Sequence, residues 1–402
     1  MSNTSRGHIP FAEFVTLMAI MTSLVALTID AMLPALPDMG RELGARDPND
    51  VQLIVSVIFI GLAVGQLFYG PLSDSIGRKP AANIGIILFM LGCVCSLLAT
   101  DFDTMLLGRL LQGLGLGAPR VITIALIRDE YQGREMARVM SFIMSVFILV
   151  PMVAPALGQG ILLIADWRAI FTVFLAVGLL VLVWFNWRQP ETLSSSKRRP
   201  FSVGLIFRAA HEVLTNPISV AYTLMAGLCS GAFIAYLSTS QQILAGQYGL
   251  AELFPLIFAL LALAIGSASY VNARLVMKCG MQTLMRRSSR VMIVVGGCYG
   301  LYALYTAGHP PLWTLLVYFT ITLFCTGLMF GNMNAAAMEP LGHIAGVGAS
   351  IVGSVSTIIS VPVAIGIGRV YDNSVTPLVM GFLLTSLLAM LLLAWAESRR
   401  VE

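Results

Sequence analysis

Three ionisable residues stand deep inside stretches that are predominantly apolar. They are Asp30, in FAEFVTLMAIMTSLVALTIDAMLPALP, and Arg109 and Arg120, in MLLGRLLQGLGLGAPRVITIAL. A charged group at membrane depth is costly, so it faces a protein interior or a water-filled cavity and marks a candidate functional site. A carboxylate in such a place can bind and release a proton as its surroundings change. That is the minimum equipment for coupling proton movement to the movement of another solute. Arg120 follows Arg109 by 11 positions, and at about 100° per residue the two share one helix face about 16 Å apart. Gln112 and Leu116 lie close to the same stripe, which is expected to face a cavity. Asp30 and Arg109 should lie at similar depth and interact, directly or through water. The guanidinium and the loss of water would then act on the carboxyl's proton affinity in opposite senses.

The elements that position these groups follow from composition. The chain has 402 residues, 57% hydrophobic and only 11% charged, against about 25% charged in soluble domains. Its mean hydropathy is +0.86. It is therefore read as an integral membrane protein. Apolar windows long enough to cross a bilayer fall near 11–34, 51–69, 81–99, 105–127, 139–164, 169–187, 217–238, 252–271, 290–307, 312–335, 346–367 and 377–395. Their patterning is helical rather than alternating, which favours helices over a barrel. The first window is too long for a cleaved leader and lacks a small-residue cleavage site. The expected fold is all-α, with twelve transmembrane helices in two pseudo-symmetric six-helix bundles.

Lys and Arg in short loops set the orientation. With both termini in the cytoplasm, the inside segments hold Arg6; Arg78 and Lys79; Arg128, Arg134 and Arg138; Arg188, Lys197, Arg198, Arg199 and Arg208; Arg274, Lys278, Arg286, Arg287 and Arg290; and Arg399 and Arg400. The outside loops hold only Arg41, Arg46, Arg168 and Arg369. The net charge of +4 largely restates this asymmetry and gives no reason to invoke nucleic acid. The six cysteines show no metal spacing and read as small buried apolar residues.

The longest polar stretch, 189–216, separates six windows from six. The chain thus divides into an N-terminal half (1–188), a cytoplasmic linker (189–216) and a C-terminal half (217–402). The linker's Lys197-Arg198-Arg199 run suits contact with anionic lipid heads. Paired repeats around a midplane site are a mark of secondary transporters. Both halves carry a basic loop after their second helix, GPLSDSIGRKP and NARLVMKCGMQ, although the second has no counterpart to Asp74.

In the first of these loops, Gly70 and Gly77 permit a tight reversal, Asp74 can pair with a guanidinium, and Arg78 and Lys79 meet the membrane surface. A charged latch of this kind would stabilise one of two gate arrangements. The string resembles the signature loop of the major facilitator superfamily. Arg109 to Gly115 is similar to the superfamily's second motif. Pro151 to Gly160 is similar to its antiporter motif, although Ala154 and Gln159 stand where glycine is common. Asp30 to Pro37 looks like the end of the first helix in twelve-span drug:proton antiporters. The Bcr/CflA group of bicyclomycin and chloramphenicol/florfenicol exporters is the nearest resemblance. It is echoed by Arg128 to Tyr131, Asp166 to Phe171, and Asn272 with Arg274. Arg120 departs from it, standing where a small neutral residue is expected.

The resemblance implies proton-coupled efflux of small organic molecules by alternating access, by a monomer in a bacterial inner membrane, with the proton as coupling ion and no other cofactor. It implies proton coupling by Asp30 and Arg109, a cytoplasmic gate at Gly70, Asp74, Gly77, Arg78 and Lys79, and an antiporter helix built on Pro151, Pro155 and Gly158. By pseudo-symmetry, helices 1, 4, 7 and 10 should line the cavity. Its wall would then include Asp30, Gln112, Arg120, Phe233, Tyr236, Asn332 and Asn334, a set suited to a medium-sized amphipathic ligand. An endogenous organic anion held by Arg109 and Arg120 is the alternative cargo. His343 reads as a solvated loop histidine. No nucleotide-binding loop or metal-ligand cluster occurs, and no clustered nucleophile and base suggest an enzyme.

Overall fold

The computed structural model describes residues 9–198 and 200–401; Arg6 and Arg199 lie outside the described residues. Twelve long helices account for the architecture. They are α1 (Phe11–Asp30), α2 (Val51–Ile76), α3 (Arg78–Leu97), α4 (Phe102–Glu130), α5 (Gly133–Leu162), α6 (Arg168–Arg188), α7 (Pro217–Gln241), α8 (Phe254–Cys279), α9 (Met281–Tyr305), α10 (Leu312–Met338), α11 (Ala345–Arg369) and α12 (Thr376–Val401). A short helix, Leu36–Glu42, prolongs α1 beyond a 3-10 turn at Leu33–Ala35, and a thirteen-residue linker helix, Val203–Thr215, precedes α7. The start of α1, the end of α12 and the linker lie at one face of the molecule, the linker face; the opposite one is the distal face.

All of these helices except α9 include a stretch long and apolar enough to cross a bilayer. The exception has a physical cause. Arg286, Arg287 and Arg290 occupy the early turns of α9, and its apolar run begins only after them.

The loop expected over 70–80 is mostly helix. Residues Gly70 to Ile76, Pro71 included, continue α2, and Gly77 alone breaks the chain before α3 starts at Arg78. Its φ of 111° lies in the region that favours glycine. The second half repeats the device, with Gly280 (φ 78°) alone between α8 and α9.

Small residues let the helices of the first half close on one another. A Cβ on Gly113 would collide with the carbonyl oxygen of Ile58 in α2, and one on Gly115 would lie against the backbone of Phe89 in α3. Thus α4 is wedged between α2 and α3 by glycines on two of its faces, as small residues at helix contacts permit. Between the halves, α2 packs along α11 and α5 along α8.

Candidate functional site

Asp30 is the last residue of α1 and is 4% exposed. Tyr236 of α7, in the other half of the chain, lies within electrostatic reach of it. Tyr236 is itself buried, and its hydroxyl makes no hydrogen bond among the described residues. Around Tyr236 stands an aromatic cluster. Its ring stacks on Phe258 at 6.0 Å and on Phe233 at 6.2 Å and tilts against Phe319 at 5.3 Å, while Phe330 meets Phe233 edge-on at 5.7 Å. A buried carboxylate thus lies within electrostatic reach of a buried donor that has no partner among the described residues, and that donor stands in a wall of π-faces. That arrangement can hold a proton and can pack an amphipathic ring system.

The expected contact between Asp30 and Arg109 is not formed. Arg109 is fully buried and spends its donors elsewhere: Nε on the carbonyl of Ile54 in α2 (3.0 Å), Nη2 on the carbonyl of Thr28 in α1 (3.1 Å) and Nη1 on Oε1 of Gln112 (2.6 Å). Gln112 passes the connection on, donating to the carbonyl of Gly92 and to Oγ of Ser96 in α3. The pair therefore clamps α1, α2 and α3 to α4. Equal depth does not imply contact, because residues on neighbouring helices can be turned to different sides. Gln112, expected at the cavity wall, faces α3 for the same reason.

Arg120 does differ from this buried stripe. It is exposed, although Pro119, Ile122 and Thr123 around it are buried, and it has no ion-pair partner among the described residues. Its neighbour Val121 lies near Gly70 of α2, and a Cβ on Gly70 would in turn sit 3.2 Å from Oγ of Ser350 in α11. One helical turn beyond Ile124, Arg128 approaches Gly346 of α11. This side of α4 therefore faces the seam between the halves, and Arg120 brings an unpaired guanidinium to the water-accessible space there.

In the second half, Phe233 is half-buried in the aromatic cluster. Asn332 is buried and donates to Oδ1 of Asn272 at 2.7 Å, tying α10 to α8 rather than pointing freely into a cavity. Asn334 is exposed and bonds back to the carbonyl of Phe330.

At the linker face, Arg78 is 4% exposed and gathers a network. Its guanidinium meets Asp74, Asp129 of α4 (3.0 Å) and Oγ of Ser73 (2.8 Å). Glu191 of the linker accepts from the backbone N–H groups of Arg78 and Lys79, both at 3.0 Å. A carboxylate there satisfies the orphan donors at the start of α3 and meets the positive end of its dipole. The same residue forbids a side chain at Gly77, where a Cβ would collide with the Glu191 carboxylate. Lys79 reaches the carbonyl of Asn186 in α6 (2.8 Å). Glu191 was not among the expected site residues, because a polar linker gives no sign of which carboxylate folds back.

In α5, Pro155 and Gly158 are buried and Pro151 is half-buried. Gly158 lies directly against the backbone of Ala31. The segment that resembles an antiporter motif therefore presses on the turn that carries Asp30.

At the distal face, neutral amides join the halves, a feature unforeseen in the sequence. Gln52 of α2 donates to Gln242, just beyond α7, at 2.8 Å and to the carbonyl of Gly368 in α11 at 3.2 Å. Asn49 donates to the carbonyl of Tyr371 at 2.9 Å, and Gln242 to that of Pro48 at 3.1 Å. A cavity of about 490 Å³ lies here, lined in part by Asn49, Gln242 and Tyr371. Burial pushes the Tyr371 hydroxyl up to about 12, so it stays a proton donor throughout the physiological range.

Comparison with known proteins agrees with this fold. The family described as Major Facilitator Superfamily matches residues 18–361. A "Bicyclomycin resistance protein homolog" of Haemophilus influenzae is 30% identical over 346 residues, covering 85% of each chain. A "Chloramphenicol resistance protein" of Pseudomonas aeruginosa is 29% identical over 371 residues, 87% of this chain and 84% of its own. Among solved structures, a D-xylose-proton symporter superposes with a TM-score of 0.75 over 94% of this chain and 97% of its own; at 15% identity, it shares the fold.

Proposed function

From a chain that belongs to the Major Facilitator Superfamily, and is thus a multi-pass membrane transporter rather than an enzyme, we propose export of small amphipathic organic molecules, antibiotics among them, in exchange for protons. The observation that carries this reading is Asp30. It is buried at the end of α1, within electrostatic reach of Tyr236 in the other half, whose hydroxyl has no partner among the described residues. Protonation of Asp30 from one side and cargo binding from the other favour opposite arrangements of the halves. Coupling then requires only that each ligand bind the two arrangements with different affinity. The names of the relatives, one a bicyclomycin and one a chloramphenicol resistance protein, support the choice of cargo.

In this reading the protein is a monomer in a bacterial inner membrane. The linker face is cytoplasmic and the distal face periplasmic, as the concentration of Lys and Arg supports. The seam of α2 and α11 opens at one face at a time. At the linker face the Arg78 network with Asp74 and Asp129 braces α2, α3 and α4 within the first half, and at the distal face the Gln52–Gln242 amides join the two halves.

The test uses proteoliposomes containing a pH-sensitive dye. A phenicol gradient should drive proton movement in the opposite direction, and Asp30→Asn should stop both fluxes. Phenicol movement without proton flux, unchanged in Asp30→Asn, would show a facilitator and reduce Asp30 to a structural residue.

A second reading keeps the fold and changes the cargo to an endogenous organic anion. It rests on the unpaired guanidinium of Arg120 at the seam. Arg120→Glu separates the two readings. It should abolish anion transport, whereas export of a neutral phenicol should survive.

A further inference from the structure

The linker helix has three faces, and among the described residues only one of them packs on the helix bundle. Ala209 and Val213 are buried, where the helix packs on α7 and α11. At about 100° per residue, Val203, Phe207 and Leu214 fall within about 40° of one another on a second face, roughly a quarter-turn from the packed one. All three are exposed, by 46%, 71% and 49%. Arg208, His211 and Thr215 form a third, polar face beyond them, also exposed. Leu205 is the one exposed apolar residue outside the apolar stripe.

Chain continuity places this helix at the membrane surface. It ends at Thr215, and after Asn216, whose side chain caps the next helix, the membrane-spanning α7 begins at Pro217. Exposed Phe201 precedes it, adding apolar surface just ahead of the helix. The charge beside the stripe is basic: Arg208 stands exposed on the helix, whereas Arg198, just before it, turns its guanidinium toward Gly77 and the Glu191 carboxylate. The helix's carboxylate, Glu212, is already held by Nε2 of His343 at 2.7 Å, in the turn before α11. A helix with protein on one flank, apolar side chains on the next and a cation on the third has the form of one lying in a lipid interface.

We infer that the linker helix docks on the leaflet at the linker face, inserting Val203, Phe207 and Leu214 among the acyl chains while Arg208 engages anionic phospholipid headgroups. The partner is the anionic lipid surface itself. The Glu212–His343 contact then links that surface to the segment leading into α11, one of the two helices at the seam. Nothing in this inference depends on which solute is carried.

The test is a full-length chain with its native cysteines replaced and a single Phe207→Cys carrying an environment-sensitive fluorophore, in bilayers of phosphatidylcholine with or without phosphatidylglycerol. Phe207 is the most exposed residue of the stripe, so the change leaves packing intact. The expected result is a blue-shifted fluorophore quenched by brominated acyl chains, more strongly when phosphatidylglycerol is present. Arg208→Gln should remove that extra quenching. A fluorophore quenched by aqueous iodide equally in both bilayers would overturn the inference. So would burial without quenching by brominated lipid, which would mean a protein partner. Lipid quenching indifferent to phosphatidylglycerol would overturn the assignment of anionic headgroups.

Discussion

Gln52 and Gln242 share a hydrogen bond of 2.8 Å between their side-chain amides, and they belong to different halves of the chain. With the bond from Gln52 to the carbonyl of Gly368, this contact holds the distal ends of α2, α7 and α11 together. Removing it should shift the balance of conformations rather than unfold either half. Gln52→Ala deletes two inter-half hydrogen bonds, worth together about 1–3 kcal/mol, and should move the closed-to-open ratio at the distal face roughly tenfold. Distance distributions between spin labels at the distal ends of α2 and α11 report it. A population of longer distances should grow in Gln52→Ala, and an unchanged distribution would deny the amides a gating role.

Gly158 offers a test of how α5 governs Asp30. A side chain there meets the Ala31 carbonyl oxygen, so Gly158→Leu must push α5 from the turn that holds Asp30. Overpacking of this kind costs about 1–3 kcal/mol. The expected outcome is loss of coupling before loss of fold: a variant that still reaches the membrane and binds cargo, but whose proton flux no longer depends on cargo. Tight coupling in Gly158→Leu would show that the contact is packing alone.

Arg109 and Gln112 act as one clamp, and their variants should behave alike. Arg109→Gln withdraws charge-assisted hydrogen bonds from the carbonyls of Thr28 and Ile54, each worth about 1.5–3 kcal/mol. Gln112→Leu strands one guanidinium donor and frees Ser96 and Gly92 of α3. Both should lower the thermal midpoint of the detergent-solubilised protein, whereas Asp30→Asn should leave it nearly unchanged. A thermally normal Arg109→Gln that has lost transport would place Arg109 in coupling rather than in the scaffold.

The twelve helices were legible because an apolar run of membrane length has few other solutions. The site was legible by residue type and less by direction. Asp30, Tyr236 and Arg120 do lie at or beside the boundary between the halves. Arg109, Gln112 and Asn332 instead turn toward helices within their own half, because hydropathy gives depth but not the rotation of one helix against the next. Asn49, Gln52 and Gln242 escaped notice because a neutral amide at a helix end reads as a cap. Glu191 escaped because its partners are backbone N–H groups, which carry no sequence signal.

Gly77 and Glu191 provide a test that needs no transport assay. Gly77→Ala faces two difficulties, a φ of 111° that costs about 1–3 kcal/mol for a residue with a Cβ, and collision with the Glu191 carboxylate. The collision can be relieved only by moving the carboxylate, which releases the N–H groups of Arg78 and Lys79. Glu191→Ala releases the same groups directly, at a cost of about 0.5–2 kcal/mol for a lost helix cap. The double variant loses the cap once, not twice. Its destabilisation should therefore fall short of the sum of the single variants by about the cost of the cap, as expected for residues that share a partner. Midpoints of thermal unfolding for the four proteins give this coupling. Simple additivity would mean that the added methyl group fits beneath Glu191 without disturbing it.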